Sequence, residues 1–112
     1  MSLRYTPSVA TGRAMRTLGR NLRTARLRRR LQTATVAERA FISRETLRKI
    51  ERGEPGVSMG NYAAVMLALG ALDGLAAIAD PGTDEVGRFL EEQRLPKRIR
   101  YPRTGRDDDD RA

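Results

Sequence analysis

The chain has 112 residues, with 22 Lys or Arg against 14 Asp or Glu, and its formal net charge is +8. It contains no Cys and no His, which excludes zinc fingers, disulfide scaffolds, thiol nucleophiles and the commonest general base. The length suits one domain with tails, and we expect no enzymatic activity. No apolar run approaches 18 residues and no signal peptide is visible, so we expect a cytoplasmic protein without a membrane span.

The basic residues are concentrated in the first half of the chain. Residues 1–52 carry 14 basic and 3 acidic side chains, whereas residues 53–96 carry 2 basic and 7 acidic ones. Residues 97–112 hold 6 basic and 4 acidic side chains. This distribution predicts that the first half meets a polyanion and that the acidic half faces away from it. DNA, RNA and an anionic membrane would all attract such a surface.

The spacing of apolar and capping residues predicts an all-α fold. We expect a flexible arm over residues 1–12 and a domain over residues 13–80 that contains five helices, over 14–30, 34–40, 44–52, 59–69 and 73–79. The expected core positions are Leu18, Leu22, Ala25, Leu27, Leu31, Val36, Ala37, Ala40, Ile42, Leu47, Ile50, Tyr62, Val65, Met66 and Leu69.

A C-terminal extension follows over residues 81–101, with a weaker helix predicted over 83–94. After Pro96, Ile99 and Tyr101 alternate with arginines, which is typical of a short strand that pairs with a second copy. A disordered basic tail is the alternative for this segment. We expect residues 102–112 to be disordered, and we interpret the carboxylates of Asp107–Asp110 as solvated and not as a metal site.

Residues 31–53 read as two short helices joined by a tight turn. Ser43 is a good N-cap for the second helix. Five polar residues recur there at i, i+1, i+4, i+5 and i+8, away from the apolar positions; they are Arg44, Glu45, Arg48, Lys49 and Arg52. Such a face is suited to the DNA major groove, although an αα-hairpin with a solvated basic face has the same pattern.

This segment resembles the helix-turn-helix of the Cro/repressor (Xre) family. The resemblance covers about residues 18–70, and the matching positions are Leu31, Val36, Ala37, Ala40, Ile42, Ser43, Thr46, Leu47, Ile50, Glu51 and Gly53. Two residues depart from the family pattern. Phe41 stands where the family usually has Gly in the turn, and Thr33 stands where it often has Gln.

The resemblance implies binding to double-stranded DNA without a cofactor. We expect base contacts from Arg44, Glu45, Arg48 and Lys49. We expect phosphate contacts from Thr33, Ser43, Arg23, Arg26, Arg30 and Arg52. One such helix reads only a few base pairs, so we expect a homodimer on a palindromic operator. The expected dimer or partner contacts are Leu72, Leu75, Ile78, Phe89, Leu90, Ile99 and Tyr101.

A narrower resemblance covers the second half of the chain. It rests on Ile50–Tyr62, Ala68–Gly70, Leu75, Asp80-Pro81 and Leu95–Arg100, which are similar to antitoxins of HipA-type kinase toxins. In that family the antitoxin is a dimeric repressor of its own operon and binds the toxin kinase, so the resemblance implies both activities. A stand-alone Xre-type regulator and a non-specific nucleic-acid-binding module are the alternatives. The scarcity of aromatic residues argues against RNA stacking.

Overall fold

The computed structural model describes residues 6–94. They form six helices: α1 (Val9–Arg28), α2 (Thr33–Ala40), α3 (Arg44–Glu51), α4 (Met59–Leu69), α5 (Leu72–Ala76) and α6 (Glu85–Arg94). No strand occurs among these residues, and the predicted all-α class is confirmed. The predicted tail strand and the carboxylate run lie outside the described residues.

The first helix starts earlier than the sequence analysis predicts. Ser8 is its N-cap, and the Ser8 hydroxyl accepts a hydrogen bond from the Thr11 amide. The Gly12 amide donates to the Ser8 carbonyl at 2.8 Å. The prediction of a flexible arm is therefore wrong for residues 9–12, because the serine cap begins the helix ahead of the glycine.

The core brings together the four helices α1, α2, α3 and α4, and it includes fully buried side chains of α2 and α3. The buried apolar residues are Leu22, Val36, Ala37, Ala40, Leu47, Ile50, Tyr62, Val65, Met66 and Leu69, all of them predicted core positions. Leu18, Ala25, Leu31 and Ile42 pack against this core and are partly buried. Leu27 was expected in the core but is exposed. Arg26, seven residues after Gly19 and four after Leu22, occupies the inward side of α1 instead.

Backbone contact between α1 and the end of α3 is made possible by two glycines. A Cβ atom on Gly19 would lie 2.6 Å from the Gly53 nitrogen and 2.7 Å from the carbonyl oxygens of Ile50 and Glu51. A Cβ atom on Gly53 would overlap the Met15 carbonyl. Gly53 also has a φ of 74°, a conformation that favours glycine.

The chain divides after Ile78 into two compact units. In the second unit, the Asp84 carboxylate accepts from the Gly87 amide at 3.0 Å in the first turn of α6. The Arg88 guanidinium donates to the Gly82 carbonyl at 3.2 Å. No residue of α6 is buried. Within residues 6–94, none of the helices combines the length and the apolar character that crossing a membrane needs.

Candidate nucleic-acid interface

Helices α2 and α3 have eight residues each and are joined by the three-residue segment 41–43. Phe41 ends α2 with φ 59° and ψ 41°, in the left-handed region, and its side chain is 94% exposed. The related proteins usually have a glycine at this turn position. Here the backbone takes the left-handed conformation in spite of the phenylalanine. The chain thus accepts local strain to keep the tight turn.

The N-terminus of α3 is well capped. The Ser43 hydroxyl accepts from the Thr46 amide at 3.0 Å and donates to the Thr46 hydroxyl at 3.0 Å. The amides of Arg44 and Glu45 belong to the first turn, which lacks intrahelical acceptors. Because the positive end of the helix dipole lies there too, this end of α3 is suited to an anionic phosphate.

The outward face of α3 carries the predicted base-contact residues. Leu47 and Ile50 are fully buried and fix the helix, so Arg44, Glu45 and Arg48 project into solvent while Lys49 is half-buried. The predicted exposure is confirmed for Arg44, Glu45 and Arg48, whereas Lys49 is more buried than predicted.

Ion pairs divide this face into two groups. Glu45 lies 3.5 Å from the Arg48 guanidinium and 4.0 Å from that of Arg52, and Arg52 also pairs with Glu54 at 2.8 Å. Among the described residues, Arg44 and Lys49 form no ion pair. Surface pairs of this kind are weak, so Glu45 and its two arginines can exchange these partners for DNA at a small cost.

The residues predicted to contact phosphate are not equivalent. Arg23 and Arg30 are exposed, and Thr33 is half-buried as the first residue of α2. Gln32, which the sequence analysis did not consider, is the exposed N-cap of α2, and its side chain makes no capping hydrogen bond. The sequence signal for Gln32 was its position next to Thr33, because the family often has a glutamine at the position of Thr33.

Arg26 is the one predicted phosphate contact that the structure contradicts. Its guanidinium donates to both oxygens of the Glu51 carboxylate, at 2.7 and 3.1 Å, and to the Leu31 carbonyl at 3.0 Å. Both side chains are only 9% exposed. Each nitrogen of this buried guanidinium already donates one hydrogen bond within the protein, so Arg26 is held away from a phosphate and instead links α1 to the end of α3.

The loop after α3 is held by Tyr62 of α4. The Tyr62 hydroxyl donates to the Glu54 carbonyl at 2.7 Å. Burial raises the pKa of Tyr62 above its usual value of 10, and the nearby Glu54 carboxylate adds to the effect. The phenol is therefore a stable neutral donor near pH 7, and it fixes the segment in which Glu54 pairs with Arg52.

The residues predicted to contact a second copy or a partner lie in two settings. Leu72 and Leu75 are half-buried against the core of their own unit. Ile78, Phe89 and Leu90 are exposed. Ile99 and Tyr101 lie outside the described residues. In the described part of the chain, no group of three or more acidic side chains is placed to hold a metal ion.

Two short helices joined by a tight turn, the second presenting cations outward and backed by a third helix, define a DNA-binding helix-turn-helix protein. Comparison with protein families agrees: the family model described as a helix-turn-helix domain matches residues 17–77, more than half of the chain. The chain belongs to this helix-turn-helix domain family, which supports the Cro/repressor-like class. A search of curated proteins found no match, and a search of solved structures found none either.

Proposed function

We propose that the protein is a sequence-specific transcriptional repressor that binds a palindromic DNA operator as a homodimer. The observation that supports this most directly is α3, whose buried Leu47 and Ile50 hold an outward face with Arg44, Arg48 and Lys49. An α-helix fits the major groove, and its N-terminal residues reach base edges there. A homodimer places two such helices on successive major grooves.

Each side chain has a distinct part in the proposed complex. Arg44, Arg48 and Lys49 donate to guanine O6 and N7, and Glu45 accepts from the cytosine amino group. Phosphates are held by the side chains that surround this face, namely Arg23, Arg30, Gln32, Thr33, Ser43 and Arg52. Arg26 has no direct part, because it is paired internally.

The test is selection of binding sites from random double-stranded DNA by the full chain, followed by footprinting on the DNA upstream of its own gene. We expect an inverted repeat whose half-sites have centres one helical turn, about 34–36 Å, or a multiple of it apart. Recovery of no enriched sequence, with affinity that depends only on salt, would contradict sequence-specific repression and favour a non-specific nucleic-acid-binding module.

We further propose that the repressor is the antitoxin of a HipA-type kinase toxin and neutralises it by binding. The resemblance of residues 50–100 to such antitoxins supports this role. So does α6, where the exposed Phe89 and Leu90 lie among the carboxylates of Glu85, Glu91 and Glu92. Apolar side chains of this kind supply affinity, and the surrounding charges set the choice of partner.

Co-expression with the product of the adjacent gene separates the two candidates. An antitoxin is expected to elute with a kinase-like partner at micromolar concentration, and Phe89→Glu is expected to release that partner while leaving DNA binding intact. Separate elution of the two proteins, with repression retained, would instead establish the stand-alone Xre-type regulator.

A further inference from the structure

Helix α4 carries no charged side chain, and the side chains that it does not supply to the core are apolar except for the half-buried Asn61. Its inner side supplies Tyr62, Val65, Met66 and Leu69 to the core. Residues 55–72, which include all of α4, contain no charged side chain, although 32% of the chain is charged. A surface helix usually turns polar residues outward, and one that is apolar all round is usually covered on more than one side.

The outward face of α4 consists of Gly60, Ala64 and Leu67, at i, i+4 and i+7. Gly60 is exposed, Ala64 is half-buried, and the Leu67 side chain is 65% exposed. Met59, at the start of the helix, is 70% exposed. Spacing of four and three residues is the pattern by which two helices pack against each other.

We propose that this outward face of α4 is where two copies of the chain associate. The inference rests on the homodimer of the proposed function and identifies its contact surface. In a twofold-symmetric contact the same patch faces itself, so every charge near the axis meets a like charge. A chain of net charge +8 therefore associates with itself most favourably through a surface that carries no charge.

The shape of this face is also complementary to itself. In an antiparallel pair of α4 helices, Leu67 of one copy lies opposite Ala64 and Gly60 of the other, and the same contact recurs on the far side of the axis. One large side chain thus meets two small positions, which permits close approach of the helices. The exposed apolar residues of α6 are less suited to self-association, because Glu85, Glu91 and Glu92 would be brought near their own copies.

The experiment is sedimentation equilibrium of the full chain without DNA, on Leu67→Glu and Leu67→Lys. We expect either change to raise the dimer dissociation constant about a hundredfold, because a charged side chain replaces the apolar one that packs on Ala64 and Gly60 of the other copy, and the two like charges lie on either side of the axis. An equimolar mixture of the two variants is expected to associate more strongly than either variant alone, since the charges on the two sides of the axis are then opposite. The helix content measured by circular dichroism should be unchanged, because Leu67 is mostly exposed and the fold of each copy does not depend on it. Val86→Glu, at a similarly exposed position of α6 (70%), is the matched control and is expected to leave association unchanged.

The outcomes separate this surface from the DNA-binding function. A monomeric wild type, a dimeric Leu67→Glu, a mixture that stays dissociated, or a dissociated Val86→Glu would each overturn the assignment to α4. DNA binding is measured separately, on a duplex carrying a single half-site. There Leu67→Glu is expected to bind as well as wild type, because α3 is unchanged. If wild type binds no DNA but dimerises through Leu67, the DNA-binding function fails while the α4 surface stands.

Discussion

Phe41 is one of three non-glycine residues in the described part of the chain that have a positive φ. The left-handed region is unfavourable for residues with a Cβ atom, by about 1–2 kcal/mol. The aromatic ring gains little burial in return, since it is 94% exposed. The family resemblance indicated that this position usually has glycine. It did not show whether the turn would adopt another conformation or keep the strained one.

Phe41→Gly is therefore expected to stabilise the protein. Relief of strain, reduced by the extra chain entropy of glycine, gives an expected gain of about 0.5–1 kcal/mol in the free energy of unfolding. Urea denaturation of the two proteins measures it. A loss of stability would show that the phenylalanine makes a favourable contact that outweighs the strain.

Arg44 and Arg23 allow base reading and phosphate binding to be separated. Arg44→Ala is expected to cost about 1–3 kcal/mol on the preferred site and to relax base preference at one position. Arg23→Ala is expected to weaken binding on all sequences alike and to lower the slope of log affinity against log salt by about 1. Fluorescence anisotropy at several salt concentrations measures both, with Arg88→Ala on α6 as a control. Unchanged base preference in Arg44→Ala would remove it from the reading residues.

Tyr62 predicts how stability changes at alkaline pH. The folded-state pKa of Tyr62 lies above the unfolded value of 10, so its contribution is complete below about pH 10 and is lost as pH rises through the folded pKa. Tyr62→Phe removes this titration together with the hydrogen bond to Glu54, worth about 1 kcal/mol. We expect the stability difference between wild type and Tyr62→Phe to be constant up to about pH 9 and then to fall. A difference that stays constant to pH 11 would contradict this account. Comparison of the two proteins cancels the titration of the other tyrosines.

At the scale of the helices, α3 and α4 were the most predictable elements. Ser43 caps α3 as predicted, Ser58 caps α4 in the same way, and Gly53 and Gly70 follow the two helices with positive φ. These signals are local, so they can be seen in the sequence. Arg26 was not predictable in the same way, because its partner Glu51 is 25 residues away and an arginine on a basic helix normally faces water. Charge alone did not distinguish the buried arginine of α1 from the exposed ones.

The Arg26–Glu51 pair is expected to be costly to break. Glu51→Ala leaves a buried guanidinium without its carboxylate, which typically costs about 3–5 kcal/mol. Replacing both residues by apolar ones, as in Arg26→Met with Glu51→Leu, is expected to recover most of that loss. Thermal or urea unfolding of the single and double variants measures this. A double variant as unstable as Glu51→Ala would show that the pair cannot be replaced by packing.

Among the contacts between helices, the crossing of α1 and α3 is expected to be the least tolerant of larger side chains. Gly19→Ala adds one methyl group, yet the atoms it meets at 2.6–2.7 Å belong to the backbone and cannot rotate away. We expect a loss of about 1–3 kcal/mol, as for overpacking of a core. Gly74→Ala, in the short helix α5 where a Cβ meets no atom within 4 Å, is the matched control and is expected to be neutral or stabilising. Similar unfolding curves for the two variants would mean that the helices separate easily.

On the scale of the whole molecule, the charge distribution predicted a polyanionic partner, but it did not predict the contact surfaces. The basic first half of the sequence forms α1, α2 and α3, and the acidic second half contains α6. The uncharged residues 55–72 lie between them in sequence and include α4. Sequence analysis assigned self-association and partner binding to one set of residues, because periodicity does not show which apolar side chains a core leaves exposed. In the proposed arrangement the two contacts use separate helices, so they do not compete for the same side chains.

The glycine contact between α1 and α3 allows the outward residues of α3 to vary while the helix keeps its position. Because the end of α3 rests on the backbone of α1 through Gly19 and Gly53, the tilt of the helix does not depend on its outward side chains. After gene duplication, the outward residues of α3 can therefore be substituted while the packing of α3 on α1 stays the same. The same property recommends this chain as a scaffold, since the outward residues of another helix-turn-helix protein can be transplanted onto α3 to retarget it.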